Sequence, residues 1–195
     1  MPIYHIPSSI NNTDYPNWDI NDEILSSFEL LDDYENRIKE IRLKNNFLRD
    51  LPIDDILNYF DSLAVYWLTD KRNEFLNSFS SLGVSFFINF IKRVNLEQLL
   101  KESLHGDIHH LDDFIDVPTL NKQIMAHPQG VITHWLAGNV PVLGLISLIQ
   151  GIITKNVNIV KLPRENGLVL PLIASQIASI EFNFDNTIIK GGDLL

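Results

Sequence analysis

The stretch "VITHWLAGNVPVLGLISLIQGIITKNVNIVKLPRE", residues 131–165, decides the fold. Its first part, "VITHWLA", is β-branched and aromatic and follows Pro128 and Gly130, which predicts a strand. The nearly continuous apolar character is typical of a strand buried on both faces. A helix is predicted from Pro141 to about Ile153, because proline is tolerated in the first helical turn. After the turn "TKN", the segment "VNIVKL" predicts a second strand.

The same alternation continues towards the end of the chain. A loop "PREN" precedes a helix predicted from about Leu168 to Ile180, and a third strand, "TIIK", ends at Gly191 and Gly192. With right-handed crossovers, the order β-α-β-α-β predicts three neighbouring parallel strands. The fold class is therefore α/β, with an N-terminal helical layer followed by the start of a parallel, Rossmann-like sheet.

The residues before this segment differ in charge and in period. Residues 1–120 hold 21 acidic and 10 basic residues, whereas residues 121–195 hold 4 and 5. Apolar residues in "LPIDDILNYFDSLAVYWLT" follow the helical period, and so do those of a segment from Val84 to Val94. Asn95 is expected to cap a helix "LEQLLKESL". The sequence thus predicts a helical region at 1–120 and an α/β region at 121–195.

Two further helices are predicted within residues 1–120. Asp32 or Asp33 is suited to cap one of them, and Asp70 is expected to begin a shorter one. Both predictions rest on capping preference together with the apolar residues that follow.

The composition limits the classes of function. The formal net charge of −10 argues against a nucleic-acid partner and against an anionic membrane surface. The absence of cysteine removes disulfides, thiolate metal sites and a cysteine nucleophile from these residues. The N-terminus lacks a signal-peptide pattern, and the longest apolar run, Val140 to Ile153, is too short to span a membrane. A cytoplasmic protein is expected.

The candidate site lies where the predicted parallel strands end, because ligands bind beyond the carboxyl ends of such strands. Three segments meet there: Ala137-Gly138-Asn139, Lys161 to Glu165, and Lys190 to Asp193. Asn139 has two open roles, since its side-chain oxygen could cap the following helix or its amide could donate to a developing oxyanion. Likewise, Lys161 could lie along the sheet edge or bind a dinucleotide together with Arg164 and Glu165.

Known short motifs give little further help. Neither the dinucleotide fingerprint nor the phosphate loop occurs. The segment "HGDIHH", from His105 to His110, is the one metal candidate, but its spacing favours surface histidines in a loop. His134, within an apolar strand, is interpreted as a hydrogen-bonded core residue.

Residues 128–165 resemble the fatty-acyl-CoA reductases of bacterial bioluminescence systems, which belong to the aldehyde dehydrogenase superfamily. Pro128, Gly130, the segment "AGNVP", "TKN" and "IVKL" carry the resemblance, and "KGGD" at the end fits a further motif. The resemblance implies a cofactor domain, a separate domain with a cysteine nucleophile, and reduction of an acyl thioester to an aldehyde with NADPH. It further implies that Asn139 donates to the oxyanion and that Lys161 lies near the adenosine ribose.

Position 164 bears on the choice of cofactor. Arg164 stands where many members of the superfamily have a glutamate that binds the ribose 2′-hydroxyl, and a cation there favours a 2′-phosphate and hence NADP. Glu165, one position later, could supply the carboxylate from a shifted loop. Because the family's cysteine is absent, the chain is expected to be the N-terminal portion of a longer reductase and inactive alone.

The expected partners follow from the same resemblance. They are an acyl-CoA or acyl-protein substrate and acyl-transfer subunits, and a homo-oligomer is compatible with it. A hypothesis of a different class is a non-catalytic module whose apolar C-terminal half docks on an acyl-transfer partner.

Overall fold

The structure of the chain is a computed structural model that describes residues 46–69, 83–137, 140–162, 169–184 and 187–195. The helices expected after Asp32 or Asp33 and at Asp70 lie outside these ranges. The described elements begin with a helical layer and continue with short strands and helices that alternate.

The longest helix, α1 (Ile53–Thr69), confirms the clearest apolar period in the sequence. Its first N–H is bound by a residue far away in sequence: both carboxylate oxygens of Asp112 accept from Ile53 N, at 3.1 and 3.2 Å. The Tyr59 hydroxyl donates to the carbonyl of Ile177 at 3.0 Å, and burial raises the pKa of Tyr59. The buried face of α1 consists of Ile53, Ile56, Leu57, Tyr59, Phe60, Leu63, Ala64 and Trp67.

The next two helices are α2 (Val84–Phe90) and α3 (Arg93–Ser103). The two helices predicted here are confirmed, but the first ends at Phe90 and not at Val94, and the cap expected at Asn95 is wrong because α3 already begins at Arg93. Asp61 of α1 accepts the backbone N–H of Arg93 at 2.9 Å, so the first donor of α3 is satisfied by a tertiary contact. Local sequence could not reveal this, because the accepting carboxylate is more than thirty residues away in the chain.

A short hairpin that the sequence did not predict follows the helical layer. Strands β1 (Ile115–Val117) and β2 (Lys122–Ile124) pair antiparallel across a 3-10 turn, Pro118–Leu120. Strands of three residues are too short to show a period of two, which explains why the pattern was missed. The expected division of the chain near Leu120 falls within this turn and stays a prediction.

The central unit confirms the β-α-β prediction. Strand β3 (Val131–Trp135) pairs parallel with β4 (Val157–Lys161), and helix α4 (Pro141–Ile153) connects them. A side chain at Gly151 of α4 would approach the Asn158 amide oxygen of β4 to 1.9 Å. The helix backbone therefore lies directly against the sheet, which only a residue without a Cβ allows here.

The two faces of this parallel pair differ. Helix α4 covers the face that carries His134, which is 8% exposed, whereas Trp135 on the other face is 80% exposed. The expectation of a strand buried on both faces is therefore wrong. Among the described residues, α4 is the helix that makes the main contacts with this pair. It covers one face of the sheet and leaves the other face exposed.

The third strand also departs from the prediction. Helix α5 (Val169–Ala178) is confirmed, but "TIIK" forms β6 (Thr187–Lys190), which pairs antiparallel with an unpredicted strand, β5 (Glu181–Phe184). The described strands thus form three separate two-stranded sheets, of which only β3–β4 is parallel. The prediction of three neighbouring parallel strands is wrong, because the chain reverses directly after β5.

One apolar core, from Leu48 to Leu194, joins the helices to β6, and residues of β4 and β5 pack against it. The final helix, α6 (Gly191–Leu194), is packed so closely that a Cβ at Gly191 would meet the Ile177 carbonyl at 2.1 Å and the Tyr59 hydroxyl at 2.2 Å. No helix within the described ranges has the length and apolar character needed to cross a membrane.

Candidate functional site

The carboxyl ends of β3 and β4 meet at one edge of the parallel pair. Their register places Trp135 opposite Lys161, and the N–H of Leu136 donates to the carbonyl of Lys161 at 3.3 Å. The hydrogen bond extends the pairing one residue beyond β3. The two chain segments that follow β3 and β4 therefore leave the sheet side by side, as the sequence predicted for the candidate site.

Two of the predicted site residues are described at this edge. Ala137 and Lys161 are both exposed, and the neighbouring strand residues 131–137 and 157–162 include no acidic side chain. A cation without nearby acidic groups in its own strands suits the binding of an anion such as a phosphate. Four other predicted site residues lie outside the described ranges: Gly138, Asn139, Arg164 and Glu165.

The start of α4 bears on the two roles left open for Asn139. The helix begins at Pro141, and Val140 holds the N-cap position without any side-chain hydrogen bond. Asn139 lies one position before this N-cap in the sequence, outside the described residues, and both of its roles stay predictions. The first backbone bond of this turn joins Leu143 N to Val140 O at 3.1 Å.

The third predicted segment, Lys190 to Asp193, does not join this edge. Lys190 ends β6 in the antiparallel sheet, while Gly191 and Gly192 are buried in α6 against α1 and α5. The prediction that it lines the same groove is wrong, because it followed from the third parallel strand.

A part-buried polar cluster of His134, Ser147 and Asn158 lies between α4 and the sheet. His134 Nδ1 is 2.8 Å from the Ser147 hydroxyl, and His134 Nε2 is 2.8 Å from the Asn158 amide oxygen. Both ring nitrogens thus have partners, which confirms His134 as a hydrogen-bonded core residue. Ser147 and Asn158 were missed by sequence reasoning, although both face His134 from the elements predicted to flank it.

The histidine segment divides into two environments. His110 is buried and its Nδ1 lies 2.7 Å from the carbonyl of Ile124, so its assignment to the surface is wrong. His109 is half exposed, 2.8 Å from Asp107 and 3.1 Å from Asp54. No cluster of three potential ligands suited to a metal ion occurs among the described residues.

The exposed pairs around His109 shift several pKa values. The Asp107 carboxylate, followed by Asp54, raises the pKa of His109. Hydrogen bonding from Arg93, and then from His109, lowers the pKa of Asp54, while the His109 backbone N–H and then its ring lower that of Asp107. The ion pairs of His109 with Asp107 and Asp54 therefore connect the 3-10 turn at Ile108–Leu111 to the first turn of α1.

A cavity of about 450 Å³ opens at the opposite, amino-terminal end of the sheet. Lys155 is 1% exposed there, and its ammonium donates to Asp112 at 2.5 Å and to the Arg49 carbonyl at 3.0 Å. This cation is neutralised, so the cavity offers less to an anion than the exposed Lys161 does. The cavity is lined by Arg49, Asp50, Pro52, Asp112, Met125, His127 and Lys155.

Comparisons with known proteins relate the sequence of this chain to a family. The sequence profile described as acyl-CoA reductase (LuxC) matches residues 48–189. The long-chain acyl-protein thioester reductase of Aliivibrio fischeri is 28% identical, over 78% of this chain and 33% of that protein. The Vibrio harveyi protein of the same name is 25% identical, over 78% and 34% of the two chains.

A further relative gives a higher identity over a shorter region. The long-chain acyl-protein thioester reductase of Photorhabdus laumondii is 32% identical, over 60% of this chain and 26% of that protein. The chain thus spans only about a third or less of the length of these relatives. No solved structure matches the chain significantly. Because the profile covers well over half of the residues, the chain belongs to the acyl-CoA reductase (LuxC) family.

Proposed function

We propose that this chain forms the cofactor-binding part of a reductase that uses NADPH to convert a long-chain acyl thioester to an aldehyde. The observation that carries the proposal is the parallel register of β3 and β4, which brings Ala137 and the exposed Lys161 to one edge. The relatives are named for long-chain acyl-protein thioesters, which supports an acyl-protein or acyl-CoA substrate.

Lys161 fits one part of a dinucleotide. It is an exposed ammonium at the carboxyl end of a parallel strand, where such ligands bind. There it would donate to the hydroxyls of the adenosine ribose. Arg164, three residues later in sequence, would bind a 2′-phosphate through charge-assisted hydrogen bonds and so favour NADPH over NADH. Glu165 would instead favour NADH if its carboxylate reached the ribose.

Asn139 serves the reacting end in this proposal. Bound NADPH would supply a hydride to the thioester carbonyl carbon and become NADP⁺. The carbon–sulfur bond would break to leave an aldehyde and a thiolate, which takes a proton from solvent. The Asn139 amide would donate to the carbonyl oxygen as negative charge develops on it. Its place in the sequence, between the end of β3 and the N-cap Val140, supports this role.

The 195 residues contain no cysteine, so the acyl-cysteine step implied by the resemblance needs a thiol from outside them. We therefore expect the chain alone to bind cofactor without turnover. This expectation makes cofactor affinity, and not reductase activity, the direct test of the chain.

A fluorescence titration of the chain with NADPH and NADH tests the proposal. Lys161→Ala should weaken binding of both cofactors about tenfold, since one charge-assisted contact to the ribose is lost. Arg164→Ala should weaken NADPH binding by a similar factor and leave NADH binding unchanged. Lys122→Ala, which removes an exposed lysine from the β1–β2 hairpin, is the control. Equal effects of all three variants would refute the assignment.

A second function is favoured by one observation, the exposure of large apolar side chains on both sides of the edge. Trp135 is 80% exposed, Leu143 58% and Val140 40%. These side chains would suit a non-catalytic module that docks on an acyl-transfer subunit. Trp135→Ser should then abolish co-elution with that subunit in size-exclusion chromatography. Under this second function, neither the wild-type chain nor any variant should bind NADPH.

A further inference from the structure

Helix α4 presents a face of small residues to the sheet. Gly144, Ser147 and Gly151 follow one another at spacings of three and four residues, which places them on one side of the helix. A Cβ at Gly144 would lie 2.6 Å from a methyl carbon of Leu136, and one at Gly151 would lie 1.9 Å from the Asn158 amide oxygen. The helix backbone thus lies close to the sheet both before and after Ser147, and the Ser147 side chain faces the strands.

The hydrogen bonds below this face have defined directions. The Gly130 N–H can only donate, so the Asn156 side-chain oxygen accepts it, at 3.0 Å. The Asn158 amide nitrogen lies 2.8 Å from the Asn156 carbonyl, which can only accept. These backbone groups fix both asparagine side chains, and the Asn158 amide oxygen is left to face His134 at 2.8 Å.

The direction of the Asn158 amide decides where the His134 ring carries its proton. An amide oxygen accepts only, so His134 Nε2 must be the N–H donor in that contact. His134 Nδ1 can then accept from the Ser147 hydroxyl at 2.8 Å. Strands β3 and β4 and helix α4 contain no acidic residue that would pair with a doubly protonated ring. The structure thus specifies the Nε2–H tautomer.

A serine hydroxyl beside a histidine ring also occurs where a serine acts as a nucleophile. The packing opposes that role for Ser147, because Gly144 and Gly151 on either side of it leave less room than a single methyl group needs. An acyl group could not approach the hydroxyl between helix and sheet. The cluster therefore holds elements together and does not present a reactive oxygen.

We infer that His134 is a positioning residue for the cofactor site, through the Nε2–H tautomer that joins α4 to β4. The inference rests on the proposed function. His134 immediately precedes Trp135, the register partner of Lys161, and it binds Ser147 in the helix that follows Asn139. The ring thereby joins Ser147, in the middle of α4, to Asn158, near the start of β4. It fixes the helix and the strand relative to each other, and their neighbouring ends precede or follow the residues proposed to bind a nicotinamide dinucleotide.

The tautomer itself gives the first test. Long-range 1H–15N correlation spectra of the chain at neutral pH should show one histidine ring protonated at Nε2 with Nδ1 as an acceptor. The chain has 6 histidines, and His134→Gln identifies the signal by its loss. An Nδ1–H tautomer, or rapid exchange between the two forms, would overturn the inference whether or not the chain binds NADPH.

Cofactor affinity gives the second test. His134→Ala, which removes both contacts, should weaken NADPH binding about tenfold, and Ser147→Ala about fivefold. His134→Gln keeps a donor for Asn158 and should recover most of the loss. Ser175→Ala, at an exposed position on α5, is the matched control. Unchanged affinity in Ser147→Ala, a variant small enough to fold, would refute a positioning role.

Failure of the proposed function gives a different result. The wild-type chain would then show no NADPH binding. Hydrogen exchange at the amides of Val142 to Leu145 would then measure whether the cluster orders the start of α4. Ser147→Ala should speed exchange there about fivefold more than in the core of α1, because the cluster anchors only α4. An equal change in both helices would show a purely structural residue.

Discussion

Two lysines near the two ends of β4 differ in burial: Lys155 lies two residues before the strand begins, and Lys161 is its last residue. Lys155, at the amino-terminal end, is buried and its ammonium binds Asp112 and the carbonyl of Arg49. Lys161, at the carboxyl end, is exposed. A buried cation needs partners to remain charged, whereas an exposed one is free of that requirement. The lysine at one end of this sheet therefore maintains the fold, whereas the lysine at the other end is exposed, as the proposed role in cofactor binding requires.

The largest expected effect comes from exchanging these lysines for methionine, one at a time. Lys155→Met leaves the Asp112 carboxylate without its cation and should lower the free energy of unfolding by about 3 kcal/mol, the low end for a broken buried pair because Asp112 is 25% exposed. The positive φ of 60° at Lys155 is kept by the methionine, so its strain cancels. Urea denaturation measures the difference.

Lys161→Met is the matched control for that measurement. It should change the unfolding free energy by less than about 0.5 kcal/mol, as is usual for an exposed site, while it weakens NADPH binding. If both lysines affected stability equally, the proposed division of the two ends would be wrong.

A smaller effect is expected from the glycines that bring α4 onto the sheet. Gly151→Ala directs a methyl group at the Asn158 amide oxygen, which His134 holds in place. Overpacking should cost about 2 kcal/mol, and the better helix propensity of alanine offsets about half of that. The net loss of about 1 kcal/mol should appear as a lower Tm.

Gly144→Ala sharpens the same comparison nearer the carboxyl edge. Its new methyl group meets the ends of the Leu136 and Leu170 side chains, which can move, so the gain in helix propensity should cancel the cost to within about 0.5 kcal/mol. A larger loss in Gly144→Ala than in Gly151→Ala would contradict the view that the polar cluster is the rigid part of the interface.

The smallest effect concerns pH. The raised pKa of His109 contributes stability fully below its usual value of 6.5 and loses it as pH rises through the raised value. The lowered pKa values of Asp54 and Asp107 contribute above their usual 3.8 and are lost as pH falls. His109→Gln should therefore cost most between about pH 4 and 6.5. Because these side chains are 42–49% exposed, screening limits the cost to about 0.5 kcal/mol.

The control for this pH dependence is His127→Gln. His127 is exposed and has no ion pair among the residues that the structure describes. Its replacement should leave the pH dependence of stability the same as in the wild-type chain. A profile of His109→Gln without a maximum would remove the charge-based link between α1 and the 3-10 turn.

The sequence was sufficient to predict the elements whose apolar residues repeat with a regular local period. The apolar period of α1 and the apolar strands on either side of α4 predicted these elements and the edge at which Ala137 and Lys161 meet. The antiparallel β5–β6 pair was missed, although "EFNF" alternates as a strand does and a two-residue connection precedes "TIIK".

The tertiary partners could not be predicted in this way. Lys155 binds an aspartate 43 residues away, and Arg93 receives its cap from α1, so neither contact has a local signal. Part of the candidate site was predictable because the end of a parallel strand is a general location for ligands. The roles of Asn139, Arg164 and Glu165 stay predictions, since these residues lie outside the described ranges.

The contact between the Tyr59 hydroxyl and the Ile177 carbonyl spans 118 residues of sequence. During synthesis on the ribosome, the Tyr59 hydroxyl therefore cannot bind this acceptor until residue 177 has been made. Such a long closure slows folding relative to helices that satisfy themselves locally. Chains stalled before residue 177 should consequently be cleaved within α1 by a brief protease pulse, whereas released chains should resist.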